Sequence, residues 1–206
     1  ANTLNQLSYA YTPSSYGGVD EEYWSPTNPN HMIIADDTVI RIIDPSSNTT
    51  IQSFPLPAGY NDAQFHVRTA PSYDGTKVVA KATRISDGKY VAIGINLSTG
   101  VTSTPVEFDT LGFDSSCYPP SEEYKNRNST ASPSGDLMVL MGCVGGEKHQ
   151  FFALDWNTGA VVYDHPFNNS VECPGSHGDL AMNDSGNDVF VGICKGTDSG
   201  NAGEPW

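Results

Sequence analysis

Arg41–Thr50 reads Arg-Ile-Ile-Asp-Pro-Ser-Ser-Asn-Thr-Thr, an apolar strand that runs directly into a polar turn. The same pattern returns twice: Ile93–Gly100 reads Ile-Gly-Ile-Asn-Leu-Ser-Thr-Gly, and Ala153–Gly159 reads Ala-Leu-Asp-Trp-Asn-Thr-Gly. Each copy places an Asp or Asn at the end of the apolar run, and both residue types favour turns. Three copies of one strand and turn indicate a repeat protein built from short β-strands.

A second turn signature interleaves with the first, and its copies are Ser72–Gly75, Ser132–Gly135 and Asn183–Gly186. An apolar or β-branched run follows each of them. The Asp or Asn of the first pattern precedes the glycine of the second by 31 residues in the first and third copies and by 39 in the middle one, so one connection carries an eight-residue insertion. A period of roughly 50 residues with four short strands per repeat is typical of a β-propeller blade.

We therefore predict an all-β fold, namely a β-propeller with four-stranded antiparallel blades. It would be a partial propeller of three to four blades, and residues 1–206 would form a single domain or a fragment of one. The blades are expected at approximately 24–60, 61–110, 118–165 and 173–206. Within the second blade, the innermost strand is expected at 66–70 and the outermost at 101–106.

The sequence leaves open whether the blades close into a four-bladed ring or belong to a larger propeller. Leu4–Tyr11 supplies one further strand, whereas completion of the fourth blade needs two. Propellers remove their sheet edges only by closing the ring, so the missing strand favours a piece of a larger propeller over a closed four-bladed ring. A β-sandwich is the alternative fold, because regularly spaced short strands fit it as well.

The composition of the chain indicates its cellular location and excludes some classes of partner. Asp and Glu number 24 against 10 Lys and Arg, a formal charge of −14, which argues against nucleic acid as a partner. No apolar run reaches the roughly 18 residues that a membrane span needs, so no membrane insertion is expected. The chain begins at Ala1 without Met, as in a mature product or a fragment. Together with four cysteines and low lysine content, this predicts a secreted, extracellular protein.

Asn-x-Ser/Thr sequons predict a glycoprotein, with candidate sites at Asn48, Asn96, Asn128, Asn168 and Asn183. The cysteines are assigned by the repeat: Cys143 and Cys194 each follow their turn glycine by eight residues, and Cys117 and Cys173 precede the innermost strands of the same two blades. This register predicts the disulfides Cys117–Cys143 and Cys173–Cys194.

A zinc site is the alternative use of these thiols, with Cys173, His177 and Cys194 as three ligands, but a paired CxxC and a clear fourth ligand are missing. The segment 183–188 resembles the start of a calcium loop, yet it lacks the twelfth-position Glu and fits a hairpin turn better. We therefore expect no cofactor, with structural calcium or zinc as the alternative.

The candidate site comes from the same register. His66 and His177 each lie nine residues before their turn glycine, and Asn126 holds the equivalent place in the third blade. In a strand, residues two positions apart point to the same side. Each of these three residues should therefore share one side of its strand with the residue two positions further along the chain. The remaining members of the predicted channel-mouth cluster are Arg68, Tyr124, Lys125, Arg127, Asn128 and Asp179. The structural alternative is that these side chains bond to neighbouring blades or to channel water.

The Asp/Asn-x-x-Thr-Gly turns and the Ser-Pro-Ser-Gly hairpin, over residues 24–195, resemble those of secreted propellers: TolB-like, quinoprotein-like and propeller polysaccharide lyases. Among these, the oligouronide and ulvan lyases use His, Tyr and Arg on the channel face. The resemblance implies an acidic polysaccharide partner, substrate binding by Arg68, Lys125, Asn126 and Asp179, and catalysis by His66, His177, Tyr124 and Arg127. A noncatalytic scaffold or adhesion module with an extracellular protein partner is the alternative function.

Overall fold

The computed structural model describes residues 22–65, 71–72, 74–113, 127–132, 134–144, 149–166, 178–182 and 189–193. Within these ranges fourteen strands form four antiparallel sheets, accompanied by one short 3₁₀ turn. The first sheet contains β1 (Glu22–Trp24), β2 (Met32–Asp36), β3 (Val39–Asp44) and β4 (Thr49–Pro55). The second contains β5 (Tyr60–Gln64), β6 (Lys77–Arg84), β7 (Tyr90–Asn96) and β8 (Val106–Glu107).

The third sheet contains β9 (Arg127–Ala131), β10 (Leu137–Cys143), β11 (His149–Asp155) and β12 (Val161–Pro166). The described part of the fourth is the pair β13 (Gly178–Met182) and β14 (Val189–Ile193), and the 3₁₀ turn covers Phe108–Leu111 after β8.

Each four-stranded sheet is a meander in which spatial order follows chain order. Consecutive sheets meet through the first strand of one and the second strand of the sheet before it: β2 with β5, β6 with β9, and β10 with β13. The first strands β9 and β13 also contact each other, as the innermost strands of adjacent blades do. The all-β prediction is confirmed: the sheets are blades of a β-propeller, here called blades 1 to 4, and a partial propeller fits them.

Apolar residues fill the space between blades, and both faces of the central strands are buried. On β6, Val78 and Ala80 pack in the core between blades 1 and 2, whereas Val79 packs in the core between blades 2 and 3. Blade 3 contributes Met138 and Leu140 to the second core, and both are fully buried. Because each buried side chain of this size stabilises the fold by about 1.5–3 kcal/mol, these interfaces hold the blades together.

The repeated Asp or Asn closes the turn between the third and fourth strands of blades 1 to 3. The Oδ1 atom of Asp44 accepts the N–H groups of the second and third residues after it at 2.8 and 3.4 Å. Asn96 does the same at 2.9 and 3.0 Å, and Asp155 at 3.1 and 2.8 Å. This is the Asx turn, in which the side chain mimics a backbone turn, so the motif that revealed the repeat acts as local turn chemistry.

The Ser-x-x-Gly signature closes the turn between the first and second strands. The buried Oγ of Ser72 accepts the Lys77 N–H at 2.9 Å, and the Oγ of Ser132 accepts the Leu137 N–H at 3.0 Å. Gly75 and Gly135 both have positive φ, at 68° and 75°, where side chains with a Cβ are strained. The two signatures are therefore two different turns of one blade.

The second blade departs from the expected strands in two places. Pairing of its first strand begins at Tyr60 and passes through a bulge at Asp62, whose φ is 55°, and the expected strand 66–70 lies outside the described residues. Its fourth strand pairs only at Val106–Glu107, with one isolated bridge at Thr102, although the expected strand covered 101–106. Pro105 explains the shortening, because proline has no N–H to donate to a ladder.

Candidate functional site

Most of the predicted site falls outside the part of the chain that the structure describes. This applies to six of its side chains: His66, Arg68, Tyr124, Lys125, Asn126 and His177. Arg127, Asn128 and Asp179 lie on described strands, but only their backbone is described. The convergence of these residues on one opening therefore stays a prediction.

The backbone positions of Arg127 and Asp179 can nevertheless be compared. Arg127 is the first residue of β9 and pairs with Gly142 near the end of β10, while Asp179 pairs with Gly192 near the end of β14. Both thus lie where the first strand of a blade begins and its second strand ends, here called the upper end of the blades. Since β9 and β13 are in contact, the two positions lie on neighbouring strands at the same end.

An ion-pair network occupies the upper end of blade 2, centred on Arg84 at the end of β6. Its guanidinium donates to both carboxylate oxygens of Asp87 at 2.9 and 2.6 Å and to Glu107 at 2.6 Å. Lys89 approaches the other oxygen of Glu107 at 3.2 Å and Asp109 at 3.8 Å. The network joins the turn between β6 and β7 to β8, and its charged groups pair with one another within blade 2.

These contacts shift proton affinities in the directions that ion pairs predict. The hydrogen bond from Arg84 lowers the pKa of Asp87 from its ordinary 3.8 to about 2 and, with help from Lys89, also lowers the pKa of Glu107. The same bonds raise the pKa of Arg84 and, through Glu107, that of Lys89. All four groups are therefore charged at neutral pH.

We expect this network to make stability depend on acid pH. Because the folded pKa of Asp87 is below its unfolded value, its contribution is present above about pH 4 and is lost as the pH falls towards 2. Melting temperature measured from pH 5 to pH 2 should decline more steeply for the wild type than for Arg84→Gln, which removes the shared cation. An equally steep decline in both proteins would contradict the assignment.

Lys81, in the middle of β6, is a described residue that sequence reasoning missed. It lies on β6 with 4% of its surface exposed, and its Nζ lies 4.9 Å from the centroid of the Tyr90 ring. A lone cation inside the apolar run Val-Val-Ala-Lys-Ala could have marked it, since lysine is almost never fully buried without partners. It faces blade 3, because it lies two residues from Val79, which packs in that interface.

The predicted modifications fall partly within the described chain. Cys143 is the last residue of β10, and Cys117, Cys173 and Cys194 lie outside the described residues, so the two disulfides stay predictions. Asn48 is exposed in the turn after β3, and Asn96 closes the turn after β7 with half-buried surface. Asn128 lies on β9, where only its backbone is described, and Asn168 and Asn183 lie outside the described residues.

Two kinds of feature are missing from the described ranges. No three or more His, Cys, Asp or Glu side chains there are arranged to hold a metal ion. Nor does any helix in those ranges have the length and apolar character needed to cross a membrane.

Comparisons with known proteins find similarity of fold. No family model matches the sequence, and no curated protein matches it. A hypothetical selenium-binding protein from Sulfolobus tokodaii is similar in structure, with a TM-score of 0.50 and 11% identity over 84% of this chain and 46% of that chain. The β-propeller domain of the Trilobed protease from Pyrococcus furiosus gives 0.44 and 14%, over 72% of this chain and 40% of that one.

TolB from Acinetobacter baumannii gives a TM-score of 0.45 and 19% identity, over 84% of this chain and 37% of that one. The chain thus spans less than half the length of these three structures. Identities this low concern the fold alone.

Proposed function

We propose that this chain belongs to a secreted β-propeller that binds an acidic carbohydrate at the upper mouth of the channel and cleaves it by elimination. One observation carries the proposal: basic residues gather at the upper end of blades 2 and 3 in a chain of net charge −14. Arg127 begins β9 there, Arg84 and Lys89 belong to the same end of blade 2, and Lys81 lies three residues before Arg84 on β6. Arg84 and Lys89 are paired with carboxylates, so the proposal depends mainly on the position of Arg127 at the start of β9.

The elimination assigns a role to each predicted residue. A cation, Arg68 or Arg127, neutralises the uronate carboxylate and so acidifies the C5–H bond. A base, drawn from His66, His177 and Tyr124, removes the C5 proton, the electron pair forms the C4=C5 double bond, and the C4–O glycosidic bond breaks. Lys125, Asn126 and Asp179 bind neighbouring hydroxyl or carboxylate groups.

A noncatalytic scaffold is the second candidate, and the outer strand of blade 3 supports it. Val161, Val162 and Tyr163 are 46%, 56% and 54% exposed, three consecutive large apolar side chains on the edge strand β12. Such a surface suits a protein partner better than a sugar. A glycan on Asn128, beside the proposed carbohydrate site, would also favour the scaffold.

Measurements of lyase activity and of oligouronide binding together distinguish the lyase from the scaffold. Incubated with oligouronides, the wild type should release unsaturated product absorbing in the ultraviolet, and His66→Ala or His177→Ala should abolish this release with little change in melting temperature. His31→Ala is the matched control, since His31 lies in the turn between β1 and β2, at the other end of the blade, against Asn28 at 3.3 Å. Absence of oligouronide binding, with a large loss of stability in either variant, would return the histidines to structural roles.

A further inference from the structure

Asn48 occupies a turn position at which two other blades have glycine. The fourth residue after the repeated Asp or Asn is Asn48 in blade 1, Gly100 in blade 2 and Gly159 in blade 3. All three have positive φ, at 53°, 75° and 70°. Glycine adopts this conformation without strain, whereas a side chain costs free energy there, although Asn tolerates it better than most residues. Blade 1 therefore keeps a side chain at a position where glycine is less strained.

The side chain of Asn48 takes no part in closing the turn. It is exposed, and its carboxamide has no hydrogen bond to any residue that the structure describes. The turn is closed by Asp44, whose Oδ1 accepts the N–H groups of Ser46 and Ser47. A strained backbone conformation that no local contact explains is a reason to look for a function.

Asn48 also begins an N-glycosylation sequon, and all of its residues, 48–50, are exposed. The sequon at Asn96 shows the contrast. Asn96 is half-buried, and its Oδ1 accepts the N–H groups of Ser98 and Thr99 at 2.9 and 3.0 Å. Asn96 therefore has the structural role that aspartate has in blades 1 and 3, whereas the carboxamide of Asn48 is available for modification.

The strand that follows Asn48 is an exposed sheet edge without charged side chains. β4 is the outermost strand of blade 1, and its first five residues, Thr49–Ser53, are exposed. It contains no Asp, Glu, Lys or Arg, whereas the outer strands of blades 2 and 3 contain Glu107 and Asp164. Ile51 is 51% exposed on this edge. Such an edge invites pairing with another chain, and proteins normally protect it with charges or with a cover.

We propose that Asn48 carries an N-linked glycan that covers the edge of β4 and keeps two copies of the chain from pairing there. A glycan on Asn48 is attached one residue before the strand begins, and it is bulky and solubilising. The proposal shares with the proposed function only the extracellular location, and it needs no carbohydrate ligand at the channel mouth.

The attachment is a transfer from a lipid-linked oligosaccharide diphosphate of the secretory pathway. The Nδ2 atom of Asn48 forms a bond to the anomeric carbon of the oligosaccharide, and the bond between that carbon and the diphosphate oxygen breaks. The lipid diphosphate leaves with the electron pair of that bond, and the amide loses one proton. Neither reactant is oxidised or reduced.

Peptide mapping of the native protein tests the modification. Peptide-N-glycosidase removes an N-linked glycan and leaves Asp where the modified Asn stood, so we expect Asp at position 48 and unchanged Asn at position 96 after treatment. An unmodified Asn48 would overturn the proposal, and glycans on other sequons would then leave the extracellular location standing. A glycan on Asn48 in a protein that binds no oligouronide supports this proposal and counts against the proposed function.

Asn48→Gly tests the protective role with the turn retained. The variant has the residue that blades 2 and 3 use, so it should fold. After expression in a host that attaches N-glycans, its mass by sedimentation should rise with protein concentration towards twice that of one chain, whereas the mass of the wild type should not. Asn96→Asp is the matched control, because it removes a sequon and keeps the turn acceptor. It should keep the glycan on Asn48 and sediment like the wild type.

Thr50→Ala and Thr50→Ser separate the glycan from the identity of residue 48. The first removes the sequon and should lose the glycan and associate, whereas the second keeps the sequon and should do neither. Adding Ile51→Lys to Asn48→Gly places a charge on the edge and should restore the monomer. Sedimentation of Asn48→Gly identical to that of the wild type would overturn the protective role. Association that Ile51→Lys leaves unchanged would overturn β4 as the pairing surface.

Discussion

Replacing Trp156 by alanine should lower the free energy of unfolding by about 3–5 kcal/mol, the range for truncating a large buried aromatic side chain. Trp156 is 4% exposed and belongs to the core between blades 2 and 3. Its ring lies against Gly94 of blade 2, so closely that a Cβ at position 94 would be 2.8 Å from it. Lys77 Nζ lies 5.0 Å from the ring centroid, which adds a cation–π contact across the same interface.

Urea denaturation provides the measurement, and Trp24→Ala provides the control. Trp24 is 53% exposed, so its truncation should change the unfolding free energy by no more than about 0.5 kcal/mol. Equal losses in the two variants would show that Trp156 does not join the blades. Gly94→Ala tests the same contact from the other side, because the added methyl must push the indole away and should also destabilise the protein.

The sequence predicted the blades because their turns carry local chemistry. The side chains of Asp44, Asn96 and Asp155 accept hydrogen bonds from backbone N–H groups within three residues. The conformation of each turn is therefore determined by its own residues. The apolar runs between the turns then become strands, as β10 and β11 show. The repeat also showed which strands are equivalent in successive blades, because equivalent turns recur at similar spacing, and a single turn could not show this.

Features that depend on contacts between blades were not predictable in the same way. The first strand of blade 2 begins in Tyr-Asn-Asp-Ala-Gln, a polar segment without strand alternation, and its bulge at Asp62 is held by bonds to Asp37, Gln64 and Thr83. In the sequence, Lys81 is one charged residue within an apolar strand, and its place in the interface follows only from the contact between β6 and β9.

Reduction of the protein should destabilise it more than any surface substitution, because two disulfides are predicted. Cys143 ends β10, one residue beyond the pairing of β10 with β9, so a bond from it to Cys117 would join the strand end to the connection that enters the same blade. The bond Cys173–Cys194 repeats this arrangement in blade 4. Each closes a chain segment of about 20–30 residues, which the chain-entropy model values at about 3 kcal/mol.

Peptide mapping without reduction tests the pairing directly, and denaturation with and without reductant tests its effect. We expect peptides joining Cys117 to Cys143 and Cys173 to Cys194, and a loss of about 3 kcal/mol in the Cys117→Ala/Cys143→Ala double variant. A bond between Cys143 and Cys194 would contradict the register, because the repeat assigns these residues to equivalent strand ends of different blades. Four free thiols would instead contradict the predicted extracellular location, since disulfides persist outside the cytosol and glutathione reduces them within it.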